Sequence, residues 1–492
     1  MTFLCIALVW LTGFSVARFL FPAPLRWSLH SVFLFSLGIG LGIGIASCLY
    51  FICLALFGPS PLILAGFGAI VVAAAIFSGI SAKNRGVALE WASGPATPAY
   101  LTWFLVLAAA MAAGMFVILC LEKPHGEWDA WSIWNLKARF LFRGGESWKN
   151  LLSPQIPNSR PDYPLLLPSI VAMCWTLARG ESISAPIAVA FLFALGVCGL
   201  LISSIGILRG KTQAFVAGIV VLAAASFLQL GAMQYADLPM SFYILAALSL
   251  LCLQDRFAGD LRFSLTAGLT AGLAPWTKNE GWLFLGAVVL ARLIAILRFE
   301  GPAVLRPQFI RFAAGALPPV AVVAFFKIHF APPNDVLAQR PSDLIAHLAV
   351  FGRWIITFQG LVKVLFVIGG FLLPMVLILA LYWFLVRFHV AECDRTPLAT
   401  VLLALGLTLA GEFVAYVAFP PDIVTQLNVS LERLVMQLWP AGLLAFFLAA
   451  NPPQLVNIRT HGAAKTKPSA KSQRPRARTT AQKPASSTMR LN

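Results

Sequence analysis

Residues 100–121 read YLTWFLVLAAAMAAGMFVILCL and contain no charged side chain. A helix of this length extends about 33 Å, enough to cross a hydrocarbon layer of roughly 30 Å. No water reaches that depth, so every backbone N–H and C=O must be paired within the chain. The run is longer than a barrel strand and does not alternate between apolar and polar residues. It therefore predicts a transmembrane helix.

Similar apolar runs occur along most of the chain. Of the 492 residues, 59% are hydrophobic and only 11% are charged, whereas about a quarter are charged in soluble proteins. We therefore predict an all-α polytopic membrane protein with about 13 transmembrane helices. The predicted spans are 3–21, 28–57, 61–80, 100–121, 184–207, 213–231, 237–254, 263–275, 281–297, 310–330, 354–386, 398–419 and 434–450.

The net charge of +17 is partly concentrated at the C-terminus. Residues 457–492 contain nine Lys or Arg and no acidic residue, together with many Ser, Pro and Ala. Such a segment buries too little apolar surface to order itself, so a disordered tail is expected. Beside a membrane span, its charges predict a cytoplasmic location and contact with anionic lipids rather than nucleic-acid binding. The eight cysteines lie mostly in apolar runs, which favours buried thiols over a metal site.

The remaining basic residues set the predicted topology. With the tail in the cytoplasm, Arg209 and Lys211 fall in a short inward connection, as the positive-inside rule requires. Counting 163–178 as a span would reverse this pattern on one side of it. This segment is short and contains Pro164 and Pro168, so we predict a helix at the outer interface that does not cross. The N-terminus is then outside, and 122–183 forms a long extracytoplasmic loop.

This loop contains a tryptophan-rich acidic segment. Residues 127–139 read EWDAWSIWNLKAR, with Trp128, Trp131 and Trp134 at intervals of three. On a regular helix these rings would cover one broad face, which suits the membrane interface. Asp129 stands at the start of that helix.

Polar residues also mark the other predicted outward connections. The second half of the long loop reads RPDYPLLLP over 160–168. Later connections read QYADLP over 234–239, WTKNEG over 276–281 and NVSLERL over 428–434. An Asp that starts a helix, as Asp237 does here, is also a common N-cap.

The order of these segments resembles the GT-C superfamily of polyprenyl-phosphate-sugar-dependent glycosyltransferases. That superfamily includes the aminoarabinose transferases, the protein O-mannosyltransferases and a bacterial family similar to dolichyl-phosphate-mannose mannosyltransferases. The resemblance rests on Asp129, the 162–168 segment, the inward basic loop at 209–211, Asp237 and Thr277-Lys278. It covers about 100–300 well and the C-terminal third loosely. The three predicted spans within 1–99 depart from the family, and their role stays open.

The resemblance implies an enzyme that moves a hexosyl or pentosyl group from a polyprenyl phosphate to a lipid or glycan acceptor, with inversion. It implies that Asp129 is the catalytic base. A phosphate at the membrane interface needs cations, and Lys278 and Arg433 are the candidates for holding it. Lys278 as a snorkelling helix end, and Arg433 paired with a nearby carboxylate, remain alternatives. The further candidate substrate-binding residues are Glu127, Asp162, Tyr163, Asp237 and Glu280.

These expectations define a domain layout and two alternatives. Residues 100–300 would form the catalytic module, 301–456 the C-terminal membrane helices and 457–492 the tail, in a bacterial inner or plasma membrane. The chain has no DxD pair, which favours a reaction without a metal cofactor, although oligosaccharyltransferases of the superfamily use a divalent metal. A multi-pass transporter or a non-catalytic subunit of envelope glycan assembly are the alternative functions.

Overall fold

A computed structural model describes residues 1–22, 28–59, 66, 73, 89–92, 97–334, 340–367, 374–419 and 422–452. The span predicted over 61–80 and the tail over 457–492 lie outside these residues.

The described residues are helical, with no strand and only one isolated bridge between Phe388 and Ala450. The α-helices are α1 (Thr2–Leu20), α2 (Leu29–Phe57), α3 (Ala99–Glu122), α4 (Asn135–Arg143), α5 (Leu166–Ala178), α6 (Ser184–Arg209), α7 (Lys211–Leu222), α8 (Ala225–Ala232), α9 (Asp237–Arg256), α10 (Arg262–Thr277), α11 (Gly281–Phe299), α12 (Pro302–His329), α13 (Pro341–Ala349), α14 (Phe351–Val367), α15 (Met375–Val386), α16 (Arg395–Ala418) and α17 (Ile423–Ala449).

Nine helices in the described part of the chain are long and apolar enough to cross a membrane, or up to eleven if two bent pairs each form one span. The bent pairs are α7 with α8, at 61°, and α13 with α14, at 73°. The chain is therefore a multi-pass membrane protein. The predicted count of 13 is not reached within the described residues. Besides 61–80, the shortfall comes from 263–275, where α10 has only 16 residues and is about 24 Å long.

Two other predicted boundaries are corrected. The span predicted over 354–386 is not one regular helix, because Pro374, with a ψ of 132°, has a non-helical backbone and α15 begins after it. The connection predicted over 428–434 is helical, because α17 already begins at Ile423. Arg433 therefore projects from a continuous helix rather than from a loop.

Helix α9 lies at the centre of the bundle. The part of α9 that could cross a membrane is completely buried by other helices, among them α6, α10 and α17. The N-terminal helix α2 also reaches this centre, where the Tyr243 hydroxyl donates to the Gly40 carbonyl at 2.9 Å. Residues from α1 to α17 share one hydrophobic core.

The segment between α3 and α6 forms a compact cap of short helices. It contains a π-helical turn (Ala130–Trp134), α4, two 3₁₀ turns (Gly145–Leu152 and Pro157–Ser159) and α5. Helix α5 has 13 residues and extends about 20 Å, which is too short to cross a membrane alone. Its length agrees with the prediction that 163–178 does not form a span.

Glycines allow α10 and α12 to pack backbone against backbone. A Cβ added to Gly268 would lie 1.9 Å from the Phe312 carbonyl oxygen, and one on Gly315 would lie 1.9 Å from the Leu265 oxygen. Small residues permit such approaches between membrane helices, where packing replaces the hydrophobic driving force. This contact fixes α10, whose end carries Lys278.

We expect Gly268→Ala to lower stability, because α10 and α12 must separate to admit the methyl group. Overpacking of a tight contact typically costs about 1–3 kcal/mol. Gly286→Ala in α11 is the control, since its added Cβ meets nothing within 4 Å. Unfolding of both variants in mixed detergent micelles measures the difference. Equal stability of the two variants would contradict this account of the contact.

Candidate active site

A buried carboxylate joins three segments at the end of the bundle where α9 begins. Asp237 is the first residue of α9 and its side chain is 1% exposed. Its Oδ1 accepts from Lys278 Nζ at 3.3 Å and from Gln437 Nε2 at 2.6 Å. Its Oδ2 accepts from Arg433 Nε at 3.1 Å and Nη2 at 3.0 Å. Both oxygens are thus satisfied by side chains from α17 and from the turn that follows α10.

These contacts correct the N-cap interpretation of Asp237. The residue at the cap position is Ala236, and no side chain caps the first turn of α9. Asp237 instead directs its carboxylate toward two cations. Burying a carboxylate is costly unless it is paired and hydrogen-bonded, and here Lys278, Arg433 and Gln437 supply those partners.

Arg433 links Asp237 to Asp129. Its Nη2 group donates to Asp129 Oδ2 at 2.5 Å, and its guanidinium carbon lies 4.3 Å from the centroid of the Tyr235 ring. A guanidinium stacks favourably on an aromatic face. Asp129 immediately precedes the π-helical turn, so the cap of short helices positions it against α17. Burial and the negative charge of Asp129 raise the pKa of Tyr235 to about 12.

Lys278 lies behind this pair, at the point where α10 ends. Its Nζ contacts Asp237 Oδ1 at 3.3 Å and Glu280 Oε1 at 3.0 Å. Burial alone would lower the pKa of Lys278, but the charges of Asp237 and Glu280 outweigh burial and raise it above its ordinary value. Lys278 is therefore a fixed positive charge. The snorkelling alternative does not fit, because the side chain is 7% exposed and paired.

A second group of polar residues, around Asp162, packs beside the first. Asp162 Oδ2 accepts from Asn279 Nδ2 at 2.6 Å and from Asn334 Nδ2 at 2.7 Å. Lys327 Nζ donates to the Asp162 carbonyl at 2.5 Å and to Asn279 Oδ1 at 2.7 Å. Because Asn279 sits between Lys278 and Glu280, this network holds the turn that presents both of those residues to Asp237.

Lys137 supports the same network from α4. It is fully buried, and its Nζ donates to the carbonyls of Arg160 at 2.6 Å and Tyr163 at 2.9 Å. Burial, reinforced by the charge of Lys327 and opposed by that of Asp162, lowers the pKa of Lys137 to about 7.

Sequence reasoning missed Lys137 and Lys327. Trp134, Lys137 and Leu141 share one face of a helix through their spacing of three and four. This spacing was the available signal that Lys137 faces inward. Lys327 near the end of a span gave no comparable signal.

Tyr163 and Glu127 lie at the periphery of the site. The Tyr163 ring centroid is 5.8 Å from that of Trp134, and burial raises the pKa of its phenol. Glu127 instead forms an ion pair with Lys123, one turn before it. The structure thus brings together Asp129, Asp237, Lys278, Glu280 and Arg433, links them to Asp162, and leaves Glu127 outside the cluster.

The three tryptophans do not share one exposed face, in contrast to the prediction. Trp128 and Trp131 are 52% and 43% exposed and their ring centroids are 4.5 Å apart, whereas Trp134 is 2% exposed. The cause is the π-helical turn over Ala130–Trp134, whose i→i+5 bonding rotates Trp134 into the core. The exposed pair flanks Asp129 in sequence.

The described residues contain no group of three or more His, Cys, Asp or Glu side chains that could hold a metal ion. Comparison with known proteins gives no match to a family model, to a curated protein or to a solved structure.

We expect Asp237→Asn to destabilise the chain by about 3 kcal/mol or more, because it leaves Lys278 and Arg433 buried with too little negative charge. Glu392→Gln is the matched control, since Glu392 is 88% exposed in its pair with Arg395 and such pairs contribute little. Unfolding titrations in mixed micelles measure both variants. A loss no larger than that of the control would show that the Asp237 contacts do not stabilise the fold.

The lowered pKa of Lys137 predicts a pH dependence of stability. Between about 7 and the ordinary value of 10.5, the unfolded chain binds a proton that folded Lys137 has lost. Lys137 therefore contributes a rise in stability with pH across this window. Lys137→Met should flatten the rise, while Lys149→Met, at an exposed position in the same cap, should retain it. Thermal unfolding at pH 7, 8.5 and 10 compares the three proteins, and parallel curves would refute the assignment.

Proposed function

We propose that this chain is a membrane glycosyltransferase that uses a sugar carried on a polyprenyl phosphate. The observation that carries the proposal is the contact between Asp129 and Arg433 at 2.5 Å, with their side chains 17% and 16% exposed. A carboxylate that accepts a proton and a guanidinium that holds a phosphate are the two groups that such a transfer needs side by side. Lys278, buried behind them, adds a second positive charge.

The proposed reaction is a displacement at the anomeric carbon of the donor. The acceptor hydroxyl oxygen forms the new bond to that carbon, and the bond from the carbon to the phosphate oxygen breaks. The hydroxyl proton moves to a carboxylate oxygen of Asp129, while the phosphate leaves with the bonding electrons. Attack opposite the phosphate inverts the anomeric configuration.

The two cations have distinct roles in this reaction. Arg433 presents a fork of N–H groups that suits phosphate oxygens, whereas Lys278 acts as a point charge. Both stabilise negative charge that develops on the leaving phosphate, and both are fixed before the reaction by Asp237. Asp237 and Asp162 are positioning residues in this scheme, because they hold Arg433, Lys278 and the turn at Asn279.

The proposed site lies at the outer surface of the membrane. The asymmetry of Lys and Arg in the short connections supports an extracytoplasmic position for this end of the bundle and a cytoplasmic position for the tail. The donor enters from the bilayer and the acceptor is a lipid or a glycan on the same side. No step requires a metal.

A transporter is the second candidate, and the two bent helix pairs favour it. Breaks of 61° and 73° in α7–α8 and α13–α14 resemble the discontinuous helices that bind substrates in transporters. Asp129, Arg433 and Lys278 do not lie at either break, however. The charged cluster stands at helix ends, which fits lipid headgroup chemistry better than a midplane site.

The decisive variant is Asp129→Asn, which keeps the side-chain shape and removes the proton-accepting charge. We expect it to reduce sugar transfer from polyprenyl-phosphate donors at least about 100-fold. Glu146→Gln, at an exposed position in the same cap, should retain native turnover. Turnover of a panel of donors is measured in membranes with matched amounts of folded protein.

Unchanged turnover in Asp129→Asn would place the base elsewhere. If no donor is turned over by the native chain but a sugar or lipid is moved across sealed vesicles, the transporter is the correct function.

A further inference from the structure

Arg433 has more contacts than a simple ion pair with Asp129 requires. Its Nε and Nη2 both donate to Asp237 Oδ2, at 3.1 and 3.0 Å, and its guanidinium stacks on Tyr235. None of these three contacts involves Asp129. The guanidinium is therefore held in place from one side and stays there if the contact with Asp129 breaks.

Exposure increases from the inside of the cluster to its edge. The side chains of Asp237 and Lys278 are 1% and 7% exposed, whereas those of Arg433 and Asp129 are 16% and 17% exposed. An anion that enters the site therefore meets the Arg433–Asp129 pair before it meets Asp237. At this edge the guanidinium binds Asp129 through its Nη2 group.

The same contact occupies the proposed base. Asp129 Oδ2 accepts a short bond from Nη2, so Arg433 engages this oxygen. A carboxylate oxygen bound in this way is not available to accept a proton from an acceptor hydroxyl. The contact thus leaves only Oδ1 outside it, and loss of the Nη2 group would free the whole carboxylate.

We propose that the phosphate of the donor takes that place: phosphate and Asp129 compete for Arg433 Nη2, so donor binding releases Asp129 to act on the acceptor. This inference rests on the proposed function and adds an order of events to it. The donor binds first, and the base becomes competent only in the donor-bound enzyme. A hydroxyl that arrives without a donor meets an occupied carboxylate, which limits wasteful side reactions.

If Asp129 and the phosphate compete for Arg433, removal of the Asp129 charge changes phosphate affinity differently than if Asp129 only contacts the donor. If Asp129 only contacted the donor, its neutralisation would weaken donor binding or leave it unchanged. If it competes with the phosphate, its neutralisation must tighten phosphate binding, and the coupling between the two is reciprocal. Asp129→Asn should therefore bind phosphate more tightly while it loses transfer.

The test uses polyprenyl monophosphate titrated into nanodiscs that contain the full chain, with bound lipid measured by native mass spectrometry. We expect Asp129→Asn to bind this lipid about 5-fold more tightly than the native chain, or more. Glu432→Gln is the matched control: it removes a carboxylate next to Arg433 in sequence, but Glu432 is exposed and accepts from Ser226. This control should bind with native affinity. Polyprenyl alcohol and inorganic phosphate, offered separately, show whether the lipid chain or the phosphate alone is sufficient.

A double variant separates competition from plain charge repulsion. Repulsion between Asp129 and the phosphate would persist without Arg433, so Asp129→Asn would tighten binding equally in an Arg433→Gln background. Competition requires Arg433, so in that background Asp129→Asn should bring no gain, whether binding is weak or absent.

The outcomes also separate this inference from the proposed function. Native binding of polyprenyl phosphate without tightening in Asp129→Asn, or with equal tightening in both backgrounds, overturns the competition and leaves the donor class intact. Absence of polyprenyl phosphate binding in both the native chain and Asp129→Asn overturns the proposed donor class itself.

Discussion

The burial of one carboxylate, Asp237, constrains the arrangement of the whole site. A charge with 1% exposure at the start of a membrane helix is tolerated only if opposite charges and donors surround it. Lys278 must therefore come from the end of α10, and Arg433 and Gln437 must come from one face of α17, where they are four residues apart. Once these partners are in place, Arg433 still has an N–H group that reaches Asp129. The contact between Arg433 and Asp129 at the edge of the site thus follows from how the charge of Asp237 is neutralised at its centre.

Close helix packing makes this neutralisation possible. Lys278 reaches Asp237 only because α10 lies directly against α9 and α12, and the approach of α12 depends on Gly268 and Gly315. On the opposite side, Trp276 Nε1 donates to Ser47 Oγ at 2.8 Å, which ties the end of α10 to α2. The helices within 1–99, whose role the sequence left open, thus help to fix the turn that carries the site. Their contribution is structural at this position, since α2 supplies Ser47 to the frame and no charge to the cluster.

Sequence reasoning identified the residues of the cluster better than their geometry. Four residues of the cluster stand at helix ends, namely Asp129, Asp237, Lys278 and Glu280. At such ends an apolar run stops and polar residues begin, so the sequence indicates these residues as candidates. Arg433 was found for its charge but assigned to a loop, because the polar residues of 428–433 hide the helical continuity of α17. Lys137 and Lys327 were missed, since helical spacing indicates at most that Lys137 faces inward, and the oxygen atoms that bind both lysines come from other segments. The membrane class followed from composition, whereas the number of spans depends on local bends and lengths that composition does not encode.

In the proposed reaction, charge balance explains why a phosphate must compete for its ligand rather than enter an empty positive site. Lys278 and Arg433 face three carboxylates, Asp129, Asp237 and Glu280, so the central cluster already has more negative than positive groups. An added phosphate would be repelled unless one carboxylate gives up its cation. Asp237 cannot do so, because it is the most deeply buried and would be left unpaired at high cost. Glu280 contacts only the buried Lys278 among the ion pairs described, behind Arg433. Asp129 shares the most exposed cation and has a partly exposed side chain, so it is the carboxylate whose release costs least. The residue that the proposed transfer reaction needs as a free base is therefore the one that an incoming phosphate would displace most easily.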